Sequence, residues 1–398
     1  MISGLLKKFG VGPHSKPAAA DASATGATGD NSPPVYFFGA GAFLLDSFGP
    51  RILDASGGRV TGLVSDRLAP LYPKYPVGPR HRLPVITLQA LRELAARGPV
   101  EVVHFCEDLD QYWALEALRT CGPALRVVDF LARLYDLNLP HTYLPMLDEQ
   151  AWWETHLADA EKISGRFGDE LSRHTLAARV GAIMSADRMP LMRTAMPAAL
   201  EYFNPHPPRA SFVPREDEIY VDIGAADGDT VERFRQASGD RFESILAFEP
   251  AAAPYRALAA KCEGDARIRV FAQAVGDTTG PVAFHENPSN PLGGNMFVGN
   301  SAPVNVDCVR LDDAVEHCSL IKMDVEGFEC SVVRGAARLI RDSRPDMAIT
   351  CYHYPQDMGG ILDEVLALHR YRHVALRHYS PCLYDSVLLF SDRQSFGD

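Results

Sequence analysis

The sequence predicts an α/β protein with two separate sheets, and three observations support this fold class. A chain of 398 residues is too long for one ordinary hydrophobic core, so two or three domains are expected. In two parts of the chain, short apolar segments alternate with helix-like segments, which is typical of doubly wound parallel sheets. Between these parts lies a helical stretch without strand patterns, and it ends in a proline-rich segment at 204–214.

The composition limits the classes of function. Apolar residue types make up 46% of the chain and charged types 23%, as in soluble globular proteins. The formal net charge of −12 argues against a non-specific nucleic-acid-binding protein, which needs clustered Lys and Arg. No apolar run has the length of a transmembrane helix, and the eight cysteines include no Cys-x-x-Cys pair that would indicate a zinc site. We therefore expect a cytoplasmic protein with reduced thiols.

The first two predicted regions are residues 1–34 and 35–135. Residues 1–34 are rich in Ala, Gly, Ser and Pro, which predicts a disordered tail. Residues 35–135 are predicted to form a small Rossmann-like domain that begins with an apolar strand and a Gly39-Ala40-Gly41 turn. Its further strands and helices are expected in the segments GRVTGLVSD, LPVITLQALRELAARG, VEVVHF, DLDQYWALEALRTCG and LRVVDF.

The remaining chain is predicted to hold a helical linker region, residues 136–214, and a second α/β domain, residues 215–398. In the linker, one helical face carries Leu176, Val180, Ile183 and Met184. In the second domain, five strands alternate with helices, and two further strands close the chain as a hairpin. The five strands are EIYVDIG, SILAFEP, IRVFAQAV, SLIKMDVE and DMAITCYH, and the hairpin pairs YRHVALRHYS with DSVLLFSD.

A glycine turn follows the first strand of the second domain, in the segment VDIGAADGDT. Gly224 and Gly228 would let the backbone approach a ligand, and the next helix presents free amides. Asp222 would repel a pyrophosphate, but it suits S-adenosylmethionine (SAM), which carries an ammonium and a sulfonium. Glu249 ends the next strand, where a carboxylate can accept both ribose hydroxyls. The segment therefore predicts a SAM site.

Together these motifs resemble the FkbM family of SAM-dependent methyltransferases. The resemblance covers about residues 219–390 and rests on VDIGAADGDTVERF, AFEP, AVGDTTG, RLDD, IKMDVEGFE, RGA and YHYPQD. It implies a class I methyltransferase fold with strand order 3-2-1-4-5-7-6, and usually O-methylation of a sugar or natural-product hydroxyl. The cofactor-binding residues predicted from it and from the turn are Asp222, Gly224, Ala225, Asp227, Gly228, Thr230, Glu249, Pro250, Ala274 and Val275.

The fourth strand of this domain carries charged residues to its end. If the backbone stays extended, Lys322, Asp324 and Glu326 share one face at the carboxyl edge of the sheet, where ligands bind. We expect Lys322 to order the two carboxylates, and His353 at the end of the next strand, or Asp324, to act as general base. The alternative is a structural ion-pair network, which is more plausible for Glu329 than for Asp324.

Three further expectations concern the surroundings of this site. Asp324, Glu326 and His353 would suit Mg²⁺ or a transition metal, but their spacing does not demand one, so no metal is predicted. His378-Tyr379 and Asp385 in the terminal hairpin are candidates for the border of the acceptor pocket. Residues 286–301 are polar and rich in Gly and Pro, so they form either a lid or a surface loop.

The Rossmann-like domain offers a rival function. Its glycine turn has Leu44 at the third position of the dinucleotide fingerprint, which obstructs the packing of helix on strand. Ser65 stands where similar modules of such chains carry the ribose-binding acid, which here is displaced to Asp66. These features favour a degenerate module for substrate capture or homo-oligomerisation over an NAD-dependent sugar-modifying enzyme. A non-catalytic SAM-binding scaffold is the third hypothesis, and the acceptor of a methyltransferase would be a small molecule or glycan.

Overall fold

A computed structural model of the protein describes residues 32–120, 124–139, 149–205, 209–286 and 303–397. The predicted disordered tail and the predicted lid or loop therefore lie almost wholly outside the described residues. The described chain divides into two compact units. The N-terminal unit comprises residues up to 139 together with 178–193, and the C-terminal unit comprises 149–177 together with 194–397.

The N-terminal unit contains a six-stranded sheet flanked by helices. Its strands are β1 (Val35–Phe38), β2 (Val60–Val64), β3 (Lys74–Val77), β4 (His81–Ile86), β5 (Val100–His104) and β6 (Leu125–Asp129), in the order β3-β4-β2-β1-β5-β6. All neighbours are parallel except β3 and β4. Its first helices are α1 (Phe43–Ala55), α2 (Leu88–Arg97), α3 (Leu109–Arg119) and α4 (Phe130–Asp136). The parallel strands confirm the predicted α/β class, and the antiparallel edge strand β3 was not predicted.

Residues 149–200 contain no strand and fold into α5 (Glu149–Ser164), α6 (Glu170–Ser185), α7 (Met189–Met192) and a 3₁₀ turn (Ala198–Leu200). On α6, the predicted apolar face is buried: Leu176, Val180 and Ile183 have no exposed surface. Burial of such side chains stabilises a helix by about 1.5–3 kcal/mol each. Residues of α6 belong to both units, because the division falls between residues 177 and 178.

The C-terminal unit is built on a seven-stranded sheet and a small second sheet. Along the chain its elements are β7 (Ile219–Ile223), α8 (Asp229–Ser238), β8 (Ser244–Phe248), α9 (Ala252–Cys262), β9 (Ile268–Phe271), β10 (Ala274–Val275), β11 (Gly280–Phe284), β12 (Val304–Val309), α10 (Leu311–Ala314), β13 (Leu320–Met323), α11 (Glu329–Gly335), α12 (Ala337–Ser343), β14 (Asp346–Thr350), α13 (Asp357–Leu368), β15 (His373–His378) and β16 (Ser386–Ser391). The large sheet runs β15-β16-β14-β13-β7-β8-β9, with the terminal hairpin antiparallel. Numbered along the chain, this is the predicted order 3-2-1-4-5-7-6.

The small sheet, in the order β10-β12-β11, was not predicted. β10 has two residues, and most residues of β11 and β12 are at least partly exposed, so they lack the apolar runs that mark buried strands. The large sheet sets the position of the candidate site. The chain leaves β7 towards β8 on one side, whereas β13 flanks β7 on the other, so a crevice opens at the carboxyl ends of β7 and β13. Among the described residues, no helix is both long and apolar enough to cross a membrane.

Candidate active site

The glycine turn after β7 is held tightly against two neighbouring strands. Gly224 has a left-handed φ of +74°, and a Cβ there would lie 1.9 Å from the backbone oxygen of Asp324. Only glycine therefore lets this turn approach the end of β13. The amides of Gly224 and Ala225 both donate to the carbonyl of Phe248 at 3.0 Å, which ties the turn to the end of β8.

Glu249 follows β8 and braces the same turn from the other side. Its Oε2 accepts from the amide of Ala226 at 3.0 Å, and its Oε1 accepts from the amide of Ala251 at 2.7 Å. The side chain is buried, and burial raises the pKa of its carboxyl, although the two amides lower it in part. A carboxylate has about four acceptor positions, so two backbone bonds leave capacity for two further hydroxyls from the cleft.

Lys322 and Asp222 form a buried pair beneath the turn. The Nζ of Lys322 donates to the carbonyl of Gly224 at 2.7 Å and lies 3.3 Å from Oδ1 of Asp222. The hydroxyl of Thr230 donates to the other oxygen of Asp222. Burial lowers the pKa of Lys322, but nearby carboxylates, Asp222 first, outweigh this effect and raise it, so the ammonium stays charged. The pair locks the glycine turn to β13.

This arrangement corrects the expectation that Lys322 lies between the carboxylates of Asp324 and Glu326. Strand β13 ends at Met323, and Glu326 has a left-handed φ of +56°, so the backbone is not extended over this segment. The alternation of side chains between two faces holds only for extended backbone. Lys322 therefore points to Asp222 and the glycine turn instead.

A cluster of acids surrounds His353 at the ends of β13 and β14. Nδ1 of His353 lies 3.2 Å from Oε1 of Glu329, and Nε2 lies 3.5 Å from Oδ1 of Asp324 and 3.6 Å from Oε2 of Glu326. Thr350 places its hydroxyl 3.1 Å from both Asp324 and Glu329. The side chain of His353 is only 2% exposed, and both ring nitrogens face these carboxylates.

The charges of this cluster shift the pKa values of its members. Burial by itself lowers the pKa of His353, but the charges of Glu329, Glu326 and Asp324 outweigh this effect and raise it to about 10. Burial raises the pKa of Glu326 to about 7, despite the positive charge of His353. The negative charges of these closely packed carboxylates are therefore neutralised only when a proton or another cation lies among them.

One cleft of about 250 Å³ joins the glycine turn, Glu249 and the acid cluster. Asp324 and Glu326 form part of its wall, whereas His353 lies behind them. Further carboxylates on the wall belong to Glu201, Asp229 and Asp385. The predicted residues on the wall are Gly224, Thr230, Glu249, Pro250, Ala274, Val275, Lys322, Asp324 and Glu326.

Comparison with known proteins bears on this region directly. Residues 222–374 match the family model of the methyltransferase FkbM domain. Residues 222–374 are thereby identified as an FkbM methyltransferase domain. Over 160 residues it is 29% identical to the 2-O-methyltransferase NoeI of Sinorhizobium fredii (strain NBRC 101917 / NGR234), and this match covers 34% of the chain and 63% of NoeI.

The fold of the FkbM domain is also found in a solved structure. The crystal structure of methyltransferase FkbM from Methylobacillus flagellatus KT superposes with a TM-score of 0.66 at 22% sequence identity. The match covers 89% of both chains, so the likeness extends beyond residues 222–374. At this sequence identity the likeness concerns the fold alone, and it confirms the predicted α/β fold class.

Several predicted residues of the FkbM domain lie outside the cleft wall. Asp227 points to Lys261 at 3.0 Å, with 42% of its side chain exposed. Asp222 and Ala225 are buried, and Gly228 has a left-handed φ of +89° just before α8. These residues shape the turn rather than line the cleft. Asp222 in particular is shielded from the cleft by the network of Lys322 and Thr230.

Of the three hairpin residues that were predicted to border an acceptor pocket, only one lines the cleft. Asp385 lines the cleft, and burial, followed by the charge of Asp324, raises its pKa to about 6. His378 and Tyr379 are buried away from it: Nδ1 of His378 lies 2.9 Å from the hydroxyl of Ser386, and Tyr379 donates to the carbonyl of Ala210.

Sequence reasoning missed two cleft residues that come from outside the matched domain. Glu201 and Tyr202 lie in the predicted linker and line the cleft. The hydroxyl of Tyr202 donates to Oδ2 of Asp324 at 3.4 Å, and burial raises the pKa of Glu201 to about 8. No periodic pattern marks them, because Tyr202 has a left-handed φ of +62° in a short irregular segment.

In the N-terminal unit, the two places where a dinucleotide would bind are engaged in backbone capping. The carboxylate of Glu107 accepts from the amides of Phe43 at 3.0 Å and Leu44 at 2.6 Å, at the start of α1. A helix N-terminus of this kind is where a phosphate would bind, and Glu107 occupies it with a negative charge. Asp66 likewise accepts from the amide of Leu88 at 2.8 Å, at the start of α2.

Proposed function

We propose that this protein is a SAM-dependent O-methyltransferase whose acceptor is a hydroxyl on a sugar, glycan or natural product. The observation that carries the proposal is the single cleft in which the glycine turn and Glu249 meet the carboxylates of Asp324 and Glu326. The match of residues 222–374 to the FkbM methyltransferase domain supports methyl transfer, and the name of the similar protein NoeI supports transfer to oxygen. Two features make the cleft fit SAM: a turn that only glycine can adopt, and a buried carboxylate with free acceptor capacity.

In this proposal different residues of the cleft bind the ribose, the methionine end and the adenine of SAM. Glu249 accepts the ribose hydroxyls, and the turn at Gly224 and Ala226 lies against the methionine end. Ala274 and Val275, both buried, offer an apolar wall for the adenine. The carboxylates beside the turn favour a cationic sulfonium, since opposite charges attract strongly in a partly desolvated site.

The acid cluster would promote transfer of the methyl group by removing a proton. As the acceptor oxygen attacks the methyl carbon, the carbon–sulfur bond breaks, its electron pair stays on sulfur, and the hydroxyl proton must leave. Asp324 is the proposed general base, because it lines the cleft, whereas both ring nitrogens of His353 face other carboxylates. Glu329 and His353 are positioning residues in this scheme.

The proposed base is tested with Asp324→Asn. We expect Asp324→Asn to lower kcat by roughly 10²–10⁴-fold with nearly unchanged SAM affinity, because the base acts only in the chemical step. Single-turnover methyl transfer and calorimetry measure the two quantities. Near-normal turnover in Asp324→Asn would show that Asp324 is not the base.

The activity is tested by mass spectrometry of the pure protein with SAM and panels of free sugars, nucleotide sugars, glycans and lipid-linked sugars. The proposal predicts an acceptor that gains one methyl group on oxygen together with S-adenosylhomocysteine. Saturable SAM binding without methylation of any acceptor in the panels would favour the scaffold hypothesis. The NAD-dependent alternative is opposed by Glu107 and Asp66, whose carboxylates occupy the capping positions described above.

A further inference from the structure

The acid cluster at the ends of β13 and β14 contains buried polar atoms without hydrogen bonds. The side chains of Glu329 and His353 are 1% and 2% exposed. Neither ring nitrogen of His353 has a hydrogen-bond partner of good geometry, nor does Oε2 of Glu329. Buried polar atoms in proteins normally have partners, so these atoms are candidates to bind a ligand or an ion.

The spacing of the donor atoms favours an ion. Nε2 of His353 lies 3.5 Å from Oδ1 of Asp324 and 3.6 Å from Oε2 of Glu326. These distances exceed the 2.7–3.2 Å typical of an N–H···O hydrogen bond. Ligands that each lie about 2.0–2.2 Å from one metal ion are separated by roughly 3–3.5 Å. Donor atoms of Asp324, Glu329 and His353 also lie within 4.8 Å of one another.

Glu329 faces the ring nitrogen of His353 that points away from Asp324 and Glu326. Its Oε1 lies 3.2 Å from Nδ1 of His353 and accepts from the amide of Val325 at 3.0 Å. In metalloproteins, a ligating histidine usually donates its second ring N–H to a carboxylate, which fixes the tautomer. With Nδ1 directed at Glu329, Nε2 is left facing Asp324 and Glu326.

We propose that Asp324, Glu326 and His353 bind one divalent cation at the wall of the cleft, with Glu329 orienting the imidazole ring. Two carboxylates and one imidazole are donors that suit Mn²⁺ or Zn²⁺ better than Ca²⁺ or Mg²⁺. The proposal replaces the expectation from sequence that no metal binds. It also accounts for three acids packed around one ring, because a divalent charge balances them.

The chemistry that the cation supplies rests on the proposed function. A cation at this position would hold the acceptor hydroxyl and make its proton more acidic. Asp324 would bind the cation through Oδ1, while Oδ2, which accepts from Tyr202 at 3.4 Å, takes the hydroxyl proton. The bonds that form and break are those given above, and no further reactant is needed.

The test is a titration of the metal-free full chain with Mn²⁺, without SAM or acceptor. Chelator-treated protein is titrated while the signal of free Mn²⁺ is followed by electron paramagnetic resonance. We expect one Mn²⁺ per chain, at least tenfold weaker binding in His353→Ala and Asp324→Asn, and 10–100-fold weaker binding in Glu329→Gln. Asp385→Asn, which removes a cleft carboxylate outside the cluster, should bind Mn²⁺ as the unsubstituted protein does.

Mn²⁺ binding that is absent, or equally tight in folded Asp324→Asn and His353→Ala, overturns the proposal. Circular dichroism establishes folding, and Asp324→Asn serves if His353→Ala does not fold, because Asp324 is partly exposed. Full methyl transfer in excess chelator would refute the proposed cation site but leave the proposed methyltransferase function intact. A chain that binds Mn²⁺ through these residues but methylates no acceptor would uphold the cation and refute the proposed function.

Discussion

Glu249 illustrates at the residue scale how one side chain both shapes the glycine turn and lines the cleft. Its carboxylate accepts backbone amides on each side, which fixes the turn after β7 and the loop after β8. In the proposed function, this fixed carboxylate would accept the ribose hydroxyls without first ordering its own surroundings. Preorganisation of this kind increases affinity by lowering the entropy lost on binding.

The pH dependence of SAM binding tests this role. Burial raises the pKa of Glu249, so its charged form is present above that pKa and is lost as the pH falls through it. We therefore expect SAM affinity to fall as the pH is lowered, and to begin falling at a higher pH than an ordinary glutamate would give. Calorimetry over a series of pH values measures SAM affinity. The Glu249→Gln variant should bind SAM more weakly, and its affinity should not change with pH. A variant with the same slope as the unsubstituted protein would exclude Glu249 as the source.

In the N-terminal unit, the carboxylate of Glu107 likewise accepts two backbone amides. Because it caps the amides of Phe43 and Leu44, Glu107→Ala should lower the free energy of unfolding by about 0.5–2 kcal/mol. Glu93→Ala is the control, since Glu93 lies on the exposed face of α2 and accepts from the side chain of Gln89. Urea denaturation measures both. Equal effects of the two substitutions would mean that Glu107 does not stabilise α1.

At the scale of elements, the site depends on the close approach of the β7 turn to the end of β13. Gly224→Ala adds a Cβ 1.9 Å from the backbone oxygen of Asp324, in addition to an unfavourable left-handed φ. Gly264→Ala is a matched control: its φ is +91°, but a Cβ there meets no atom within 4 Å. The control should lose about 1–2 kcal/mol of stability from backbone strain.

We expect Gly224→Ala to lose more stability than Gly264→Ala and to lose SAM binding as well, because backbone atoms cannot move aside as a flexible side chain can. Thermal unfolding and calorimetry on both variants measure this. If the two substitutions had equal effects on stability and left SAM affinity intact, the close approach at Gly224 would not be needed for the site.

The elements that the sequence predicted best are those with a strong local signal. The strands of the large sheet are apolar throughout, and Gly224 and Glu249 stand at fixed distances from strand ends, so the strand order and the cleft followed from pattern and resemblance. The orientation of Lys322 did not follow, because the left-handed φ of Glu326 ends the alternation of faces. Tyr202 reaches the cleft through tertiary packing alone, and no local pattern records such a contact.

At the scale of the whole molecule, two α/β units offer two candidate nucleotide sites, and the structure distinguishes them by their charges. In the C-terminal unit the glycine turn faces an open cleft, whereas in the N-terminal unit Glu107 occupies the amides at the start of α1. A ligand that binds only the folded state stabilises it according to its concentration and affinity. SAM or S-adenosylhomocysteine should therefore raise the Tm of the full chain, and NAD should not. A rise with NAD alone would assign the activity to the other unit.

The most direct test of the account is a crystal structure of the full chain with S-adenosylhomocysteine. The account predicts the ligand in the cleft at the ends of β7, β8 and β13, with its ribose hydroxyls within hydrogen-bond distance of Glu249 and its sulfur directed towards Asp324. Ligand bound elsewhere, or a ribose that does not contact Glu249, would contradict the central claim that this cleft is the site of methyl transfer.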